Sequence, residues 1–220
     1  MKRRGLALVI GMFSAACLHA EEIALYPTGP SEDSAFLRFF NSTDTPLQLS
    51  AANGASLSLA GEQRASDFLT VPAAKPITGS LKQNGQQQAL AISVAPGEFA
   101  TVVALADEQG LRYVTLREQP DDFNGLKASL AIYNLAGSCA AAGIQAAGRK
   151  VDIFKDVPEG SVQRRSINPL ALAVQLTCAG AAQGPVVELG QLAAGQRYSL
   201  FLVPTAQGPR LLPTQDNLAN

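Results

Sequence analysis

Histidine, cysteine and the carboxylates are the side chains that most often carry out chemistry in proteins, and this sequence has few of them in useful arrangements. Its one histidine is His19. Three pairs of carboxylates, Glu21-Glu22, Asp107-Glu108 and Asp121-Asp122, are adjacent in sequence, and neighbouring side chains point to opposite faces of a strand. A calcium loop, a dinucleotide-binding Gly-x-Gly-x-x-Gly and a phosphate-binding Gly-Lys-Ser/Thr are absent from the sequence. We therefore predict no catalytic residue, no metal ligand and no cofactor, and binding is the remaining class of function.

Residues 1–20 have the pattern of a secretory signal peptide. A basic start, residues 2–4, precedes an apolar stretch, residues 5–18, that is shorter than a membrane span. Cleavage after Ala20 leaves 14 basic and 18 acidic side chains, a net charge of −4. The chain is therefore expected to be exported to the periplasm. The alternative is a lipoprotein, in which Cys17 would carry the lipid.

Two cysteines, Cys139 and Cys178, remain after removal of the leader. An even pair in an exported chain is usually bridged. The alternative, a thiol nucleophile, needs a neighbouring base. Cleavage of the leader removes the one histidine, His19. The sequence therefore predicts a disulfide between Cys139 and Cys178.

Charge is distributed unevenly between the halves of the mature chain. Residues 21–118 carry 11 acidic and 6 basic side chains, net −5, whereas residues 119–220 carry 7 acidic and 8 basic side chains, net +1. Basic residues of the second half occur at Arg149-Lys150, Lys155 and Arg164-Arg165. We therefore expect interaction with a partner to concentrate on the second half.

Planar polar groups and aromatic rings are the side chains best suited to bind a partner or a polymer. The candidate binding residues are Arg164, Arg165, Asn168, Tyr133, Asn134, Arg38 and Asn41. The alternative is that these residues have a structural role and bind no partner. Aromatic residues in strands usually lie in a core, an asparagine at a strand end usually makes a turn, and charges on strands are usually solvated.

Short apolar or β-branched runs separated by turn residues dominate the mature chain, at a spacing of about 8–12 residues. The clearest runs are residues 35–41, 46–51, 88–94, 99–106 and 111–116. Asn-Gly and Pro-Gly pairs supply chain reversals between such runs. The pattern predicts an all-β fold of the sandwich type.

The chain also resembles itself. The pattern Ala-x-Leu-x-apolar-aromatic-Asn occurs at residues 35–41 and again 93 residues later, at 128–134. Residues 95–103 and 193–201 form a second matching pair. These matches predict two tandem antiparallel β-sandwich domains of about seven strands each. The expected divisions are residues 21–118, a polar linker at 119–125, and residues 126–220.

Several segments of this chain follow one another in a characteristic order and spacing. In the first half they are Ala24-Leu25-Tyr26, Pro30, the run 34–38 and Asn41; in the second half they are 133–135, 148–150, 165–169, Gly195 and 198–200. Together these segments resemble the alginate-biosynthesis protein AlgF family over essentially the whole mature chain.

The resemblance implies a periplasmic accessory protein required for O-acetylation of an exopolysaccharide, alginate in the first place, and not itself a catalyst. It implies two kinds of partner, a membrane acyltransferase of the MBOAT type and periplasmic SGNH-type acetyltransferases. A related accessory protein serves the acetylation of bacterial cellulose. A nucleic acid is not expected as a partner of this acidic chain.

Two hypotheses of different class stay open at this stage. The first is an adaptor that docks acetyltransferase subunits. The second is a polysaccharide-binding module that presents alginate or bacterial cellulose to the acetylation machinery. A third, an acyl carrier that uses a serine or threonine hydroxyl, would need a base to activate that hydroxyl.

Overall fold

The computed structural model describes residues 33–107, 110–119 and 124–219, and within these ranges the chain forms sixteen β-strands and no helix. The predicted signal peptide, with Cys17, lies outside the described residues. The strands are β1 (Ser34–Asn41), β2 (Leu47–Ala51), β3 (Ser56–Leu59), β4 (Leu69–Pro72), β5 (Ile77–Gln83), β6 (Gln86–Ile92), β7 (Phe99–Asp107), β8 (Gly110–Glu118), β9 (Ala128–Asn134), β10 (Ala142–Ala146), β11 (Val151–Val157), β12 (Ser161–Ile167), β13 (Leu170–Cys178), β14 (Ala181–Leu192), β15 (Arg197–Thr205) and β16 (Gly208–Asp216).

These strands form four sheets of four strands, two in each half of the chain. The first sandwich has an outer sheet of order β3-β2-β5-β6 and an inner sheet of order β4-β1-β7-β8. The second sandwich has an inner sheet of order β12-β9-β15-β16 and an outer sheet of order β11-β10-β13-β14. The predicted all-β class and the two tandem sandwiches are confirmed, with eight strands in each half.

Each sandwich contains one parallel pair of strands, which a wholly antiparallel fold would not have. Strand β1 runs parallel to β7, and β9 runs parallel to β15; the other ladders are antiparallel. The chain leaves the inner sheet after β1, returns to one side of β1 at β4, and reaches the other side of β1 at β7. Side chains alternate with a period of two residues in both kinds of ladder, so sequence periodicity does not distinguish them.

The second sandwich repeats the first strand by strand. Its sheet orders are those of the first sandwich with eight added to every strand number. The register repeats as well: Phe36 lies opposite Phe99, and Ser129, 93 residues after Phe36, lies opposite Arg197. The internal repeat seen in the sequence is therefore a repeat of the fold.

The first strand of each sandwich is buried on both faces. Leu37 of β1 contacts the core of the first sandwich, whereas Phe40 belongs to an apolar cluster that it shares with the second sandwich. In β9, Leu130 contacts the core of its own sandwich and Tyr133 belongs to the shared cluster. The two inner sheets therefore pack face to face, and the molecule has four layers, ordered outer, inner, inner, outer.

The space between the two inner sheets, here called the interdomain layer, is apolar over much of its area. Its buried apolar residues are Phe40, Val103, Leu105 and Leu116 from the first sandwich and Ala131, Tyr133, Leu135, Phe201, Val203 and Leu212 from the second. The Phe201 ring stacks between two others, with centroid separations of 3.7 Å to Phe40 and 4.6 Å to Tyr133. Stacked aromatic pairs add about 0.5–1.5 kcal/mol each beyond the burial of their area.

The carboxy-terminal residues of the second sandwich bind the first. The Phe68 N–H donates to the Asn217 carbonyl at 2.8 Å, and the Ala219 N–H donates to the Phe68 carbonyl at 2.9 Å. This tail and the interdomain layer both join the two sandwiches. Strand β8 ends at Glu118 and β9 begins at Ala128, while residues 120–123 of the predicted linker lie outside the described residues.

Candidate functional site

The seven predicted binding residues lie in three separate places. Arg38, Tyr133 and Arg164 lie in the interdomain layer, Asn41 and Asn134 lie at strand ends, and Arg165 and Asn168 are exposed on the second sandwich. The structure therefore brings together only the first three.

Asn41 and Asn134 occupy equivalent positions in the repeat and do the same structural work. The Asn41 amide donates to the Leu59 carbonyl at 3.0 Å, and its oxygen accepts from the Thr43 N–H at 3.1 Å. The Asn134 amide donates to the Val157 carbonyl at 2.8 Å, and its oxygen accepts from the N–H two residues later at 3.0 Å. Each side chain thus shapes the turn after an inner strand and ties that turn to the outer sheet.

Arg38 connects the two sandwiches through one fully buried guanidinium. Its Nε donates to the Thr101 hydroxyl at 3.0 Å within the first sandwich. Its Nη1 and Nη2 reach across the layer to the Asp216 carboxylate at 2.5 Å and the Ser199 hydroxyl at 3.0 Å. The same guanidinium lies 4.4 Å from the centre of the Phe68 ring, a cation–π contact.

Arg164 makes a second bridge between the sandwiches. Its guanidinium donates to both oxygens of Glu118, at 3.1 and 3.0 Å, and to the second oxygen of Asp216 at 2.9 Å. Arg197 also contacts Glu118, at 3.4 Å. Together with Arg38 these residues form the charged cluster of the interdomain layer, in which Asp216 is shared between two arginines.

The ionisation of this cluster follows from its burial and its close charges. Burial alone would raise the pKa of the Asp216 carboxyl, but the guanidinium groups of Arg38 and Arg164 and the Ser199 hydroxyl hold that pKa below its usual value. Burial raises the pKa of the Tyr133 hydroxyl, so the phenol stays neutral. Asp216 is therefore a carboxylate balanced by two arginines.

One part of the cluster has the elements of a nucleophile site. The Ser199 hydroxyl donates to the Asp216 carboxylate at 2.7 Å and accepts from Arg38. A reacting hydroxyl must touch its substrate, and Ser199 is 1% exposed while Arg38 is fully buried. As the chain is folded, this arrangement holds two sheets together and is closed off from solvent.

Arg165 and Asn168 are the predicted residues that face solvent. Arg165 lies on β12, and one of its guanidinium nitrogens donates to the carbonyl of Ile153 on β11. Asn168 follows β12 in the turn that leads to β13. A binding role for these two residues stays a prediction.

Cys139 and Cys178 form a disulfide, as predicted, with their Cα atoms 5.0 Å apart. Cys139 lies in the loop between β9 and β10, and Cys178 is the last residue of β13. The bond therefore ties that loop to the outer sheet of the second sandwich.

Within residues 33–107, 110–119 and 124–219, no three His, Cys, Asp or Glu side chains gather where they could hold a metal ion. None of the described segments forms a helix with the length and apolar character needed to cross a bilayer.

The residues predicted from the sequence did not include four members of the interdomain layer, namely Asp216, Glu118, Ser199 and Thr101. One signal pointed to them indirectly, because Arg38 stands in a strand that is apolar on both of its faces, and a buried charge needs a partner. The identity of that partner was not readable, since Asp216 lies 178 residues away.

The chain matches known proteins over most of its length. The family described as "Alginate O-acetyl transferase AlgF" matches residues 7–198. The alginate biosynthesis protein AlgF of Pseudomonas aeruginosa is 29% identical over 211 residues, which cover 96% of this chain and 90% of that protein.

Two solved structures align with parts of this chain at low similarity. The C-terminal domain of AlgF from P. aeruginosa covers 41% of this chain and 98% of its own, with 24% identity and a TM-score of 0.35. A putative cell adhesion protein from Bacteroides uniformis covers 84% of this chain and 99% of its own, with 11% identity and a TM-score of 0.31. The sequence matches carry the assignment, and they confirm the resemblance noted from the motifs: this chain belongs to the AlgF family, whose proteins are connected with alginate O-acetylation.

Proposed function

We propose that this chain is a non-catalytic periplasmic adaptor that docks acetyltransferase subunits during alginate O-acetylation. The partners proposed are a membrane acyltransferase of the MBOAT type and periplasmic SGNH-type acetyltransferases. Periplasmic location rests on the signal-peptide pattern of residues 1–20.

The observation that carries this proposal is the closed charged cluster. A catalyst must expose its reactive groups to a substrate, but Arg38, Ser199 and Asp216 are buried between two sheets and hydrogen-bonded to one another. Their arrangement joins the sandwiches across the layer. A molecule whose polar groups serve its own assembly, and whose two outer sheets present broad surfaces, suits docking better than catalysis.

Isolation of the mature chain tests the non-catalytic half of the proposal. The purified protein alone is expected neither to hydrolyse an acetyl-ester reporter nor to transfer acetyl groups to alginate oligosaccharides. Multiple-turnover transfer by the isolated chain, abolished by replacing one serine or threonine, would contradict the proposal. Ser199→Ala is the first variant to test.

Co-purification tests the docking half. A tagged chain expressed in its own organism is expected to retain acetyltransferase subunits after mild detergent extraction, and a strain lacking the chain is expected to export alginate without acetyl groups. Normal acetylation in that strain would contradict an essential adaptor.

A cleft between the sandwiches favours the second candidate function, a polysaccharide-binding module. The cleft, of about 450 Å³, lies at the carboxyl ends of β1, β9 and β15. Leu105 and Leu135 line it together with Arg210, which contacts both oxygens of Asp44 at 3.2 Å. Arg210 is half exposed, and arginine suits the carboxylates of a uronate polymer.

Titration with alginate oligosaccharides separates the two candidates. A binding module is expected to bind them, and Arg210→Ala is expected to weaken that binding about tenfold. Absence of binding to the wild-type chain would remove this candidate and leave the adaptor.

A further inference from the structure

One end of the second sandwich carries a basic surface, here called the basic end, made of Arg149, Lys150 and Arg165. Arg149 and Lys150 close the turn between β10 and β11, and both are exposed. Val151 follows them and is 58% exposed. The hydrogen bond from Arg165 to the Ile153 carbonyl holds the third cation beside the same strand.

The positive charge of the basic end is largely uncompensated. Among the described residues, the side chains of Arg149 and Lys150 make no hydrogen bond or ion pair. Asp152, the acid nearest to them in the chain, is paired with Lys155 at 2.7 Å. Glu188 is the one acidic side chain beside Arg149 in the adjoining groove.

The first sandwich provides an internal comparison for the turn. The β2–β3 turn at residues 52–55 and the β10–β11 turn at residues 147–150 each have four residues and join equivalent strands. Gly54 and Ala55 stand where the second sandwich has Arg149-Lys150. A turn of this length in this place therefore forms without charged side chains.

The same comparison applies to Arg165. In the second sandwich Arg165 lies opposite Leu130, and in the first sandwich Leu69 lies opposite Leu37, the equivalent residue of the repeat. Leucine therefore fills the position that Arg165 holds. Because the fold is built in the first half with neutral residues at all three positions, folding does not account for the three basic side chains of the second half.

A shallow groove of about 290 Å³ adjoins the basic end. Arg149 and Glu188 lie at it, and Leu170, Leu172 and Gly190 are among the small and apolar residues that line it. A groove of this kind accommodates an aliphatic side chain. The surface therefore combines cations, an exposed valine and an apolar recess, a composition typical of protein interfaces, in which arginine is enriched.

We propose that the basic end is the surface through which this chain docks an acidic patch on a periplasmic acetyltransferase subunit. The inference rests on the proposed adaptor function and adds the surface and the charge of the partner. Opposite charges across an interface steer association and fix the register of docking.

Charge reversal at the basic end tests this assignment. The mature chain, Arg149→Glu/Lys150→Glu, and a control, Lys75→Glu/Lys82→Glu, are compared for binding to the purified SGNH-type acetyltransferase of the same organism by biolayer interferometry. The control changes the net charge by the same amount, and both of its lysines are exposed on the first sandwich. Circular dichroism and melting curves establish that all three proteins are folded.

We expect the basic-end variant to bind about tenfold more weakly and the control to bind within about twofold of the wild type. The wild-type affinity is expected to fall as salt rises. The basic-end variant is expected to show a smaller salt dependence.

Each other outcome overturns a different claim. Equal binding by the two variants and the wild type would show that docking uses another surface and would leave the adaptor function standing. No binding by the wild-type chain to the acetyltransferase would count against both proposals. Selective loss of binding to alginate oligosaccharides, with acetyltransferase binding unchanged, would make the basic end a polymer site.

Discussion

At the scale of single residues, the Arg38 side chain hydrogen-bonds to residues of both sandwiches. Arg38→Met keeps an unbranched apolar stem and removes the guanidinium with its charge and donors. Among the described residues, the buried Asp216 carboxylate is then left with Arg164 as its one cationic partner. Breaking a buried pair in this way costs about 3–5 kcal/mol. We expect that loss in the free energy of unfolding measured by urea titration.

Tyr133→Phe is the matched control for Arg38→Met. The Tyr133 hydroxyl is buried without a hydrogen-bond partner among the described residues, while its ring stacks on Phe201. Removing a hydroxyl that has no partner is expected to change the free energy of unfolding by no more than about 0.5 kcal/mol, or to increase it slightly. A loss as large as that of Arg38→Met would mean that the Tyr133 hydroxyl also makes a stabilising contact and that the loss is not specific to the guanidinium.

The lowered pKa of Asp216 predicts that the fold loses stability at acidic pH. A carboxyl whose pKa is lower in the folded than in the unfolded state stabilises the fold above its unfolded pKa, about 3.9. That stabilisation is lost as the pH falls from about 4 through the lower folded value, because the unfolded state then binds more protons. The urea concentration at the unfolding midpoint of the wild type is therefore expected to decrease as the pH is lowered below about 4.

Asp216→Asn separates this group from the other carboxyls. The variant is less stable at neutral pH, because an amide does not balance Arg38 and Arg164, but it lacks this acid-dependent loss. The difference between the two proteins is thus expected to shrink as the pH is lowered. A constant difference from pH 7 to pH 3 would contradict the assignment.

At the scale of elements, the asparagine that closes each inner strand ties its turn to the outer sheet. Asn134→Ala leaves the Val157 carbonyl and the Ala136 N–H without their partners in a buried place. Each such loss costs about 1–3 kcal/mol, so we expect the two losses together to lower the free energy of unfolding by about 2–6 kcal/mol. The control is Asn53→Ala, which removes a similar turn bond at an exposed site. The control is expected to cost less than about 1 kcal/mol.

The disulfide links the loop between β9 and β10 to the end of β13. Its cysteines are 39 residues apart, and in the chain-entropy model a loop of that length stabilises the fold by about 4 kcal/mol. Cys139→Ser/Cys178→Ser is expected to lower the free energy of unfolding by about that amount. Intact-mass measurement after alkylation under denaturing conditions tests the bond itself, and two free thiols in periplasmic material would contradict it.

At the scale of the whole molecule, we propose that each sandwich is a folding unit and that the division lies within residues 119–125. Separate fragments of residues 21–118 and 126–220 are expected to give dispersed amide spectra. Each fragment exposes the inner face that the other normally covers, including Phe40 in one and Phe201 in the other. Mixing the fragments is therefore expected to shift the resonances of the two inner sheets and leave the outer sheets nearly unchanged.

One result would contradict the division into folding units, and another would contradict the expected association of the fragments. Collapsed amide spectra from either fragment alone would mean that the four layers fold only together. Well-dispersed fragments that do not associate would mean that the interdomain layer is too weak to hold the sandwiches, and the buried Arg38 and Arg164 would then lack the role assigned to them.

Local patterns were sufficient for the predictions that the structure confirmed. Strand positions and turns depend on neighbouring residues, so alternation and Asn-Gly or Pro-Gly pairs show them in the sequence. The repeat at 35–41 and 128–134 was visible because both segments form the first inner strand of a sandwich and are buried on both faces, so similar residues recur in them. The disulfide followed from a count of cysteines in an exported chain.

By itself, the sequence determined the all-β class, the two repeated halves, the disulfide and the AlgF resemblance, because each depends on residue types and short spacings. Only the tertiary structure decided that the inner sheets face one another and that the side chains of Arg38 and Arg164 are buried between them. Both arginines converge on Asp216, and Arg38 does so across 178 residues of chain. The physical reason is that the partner of a buried charge is chosen by the packing of distant sheets, which no local pattern records.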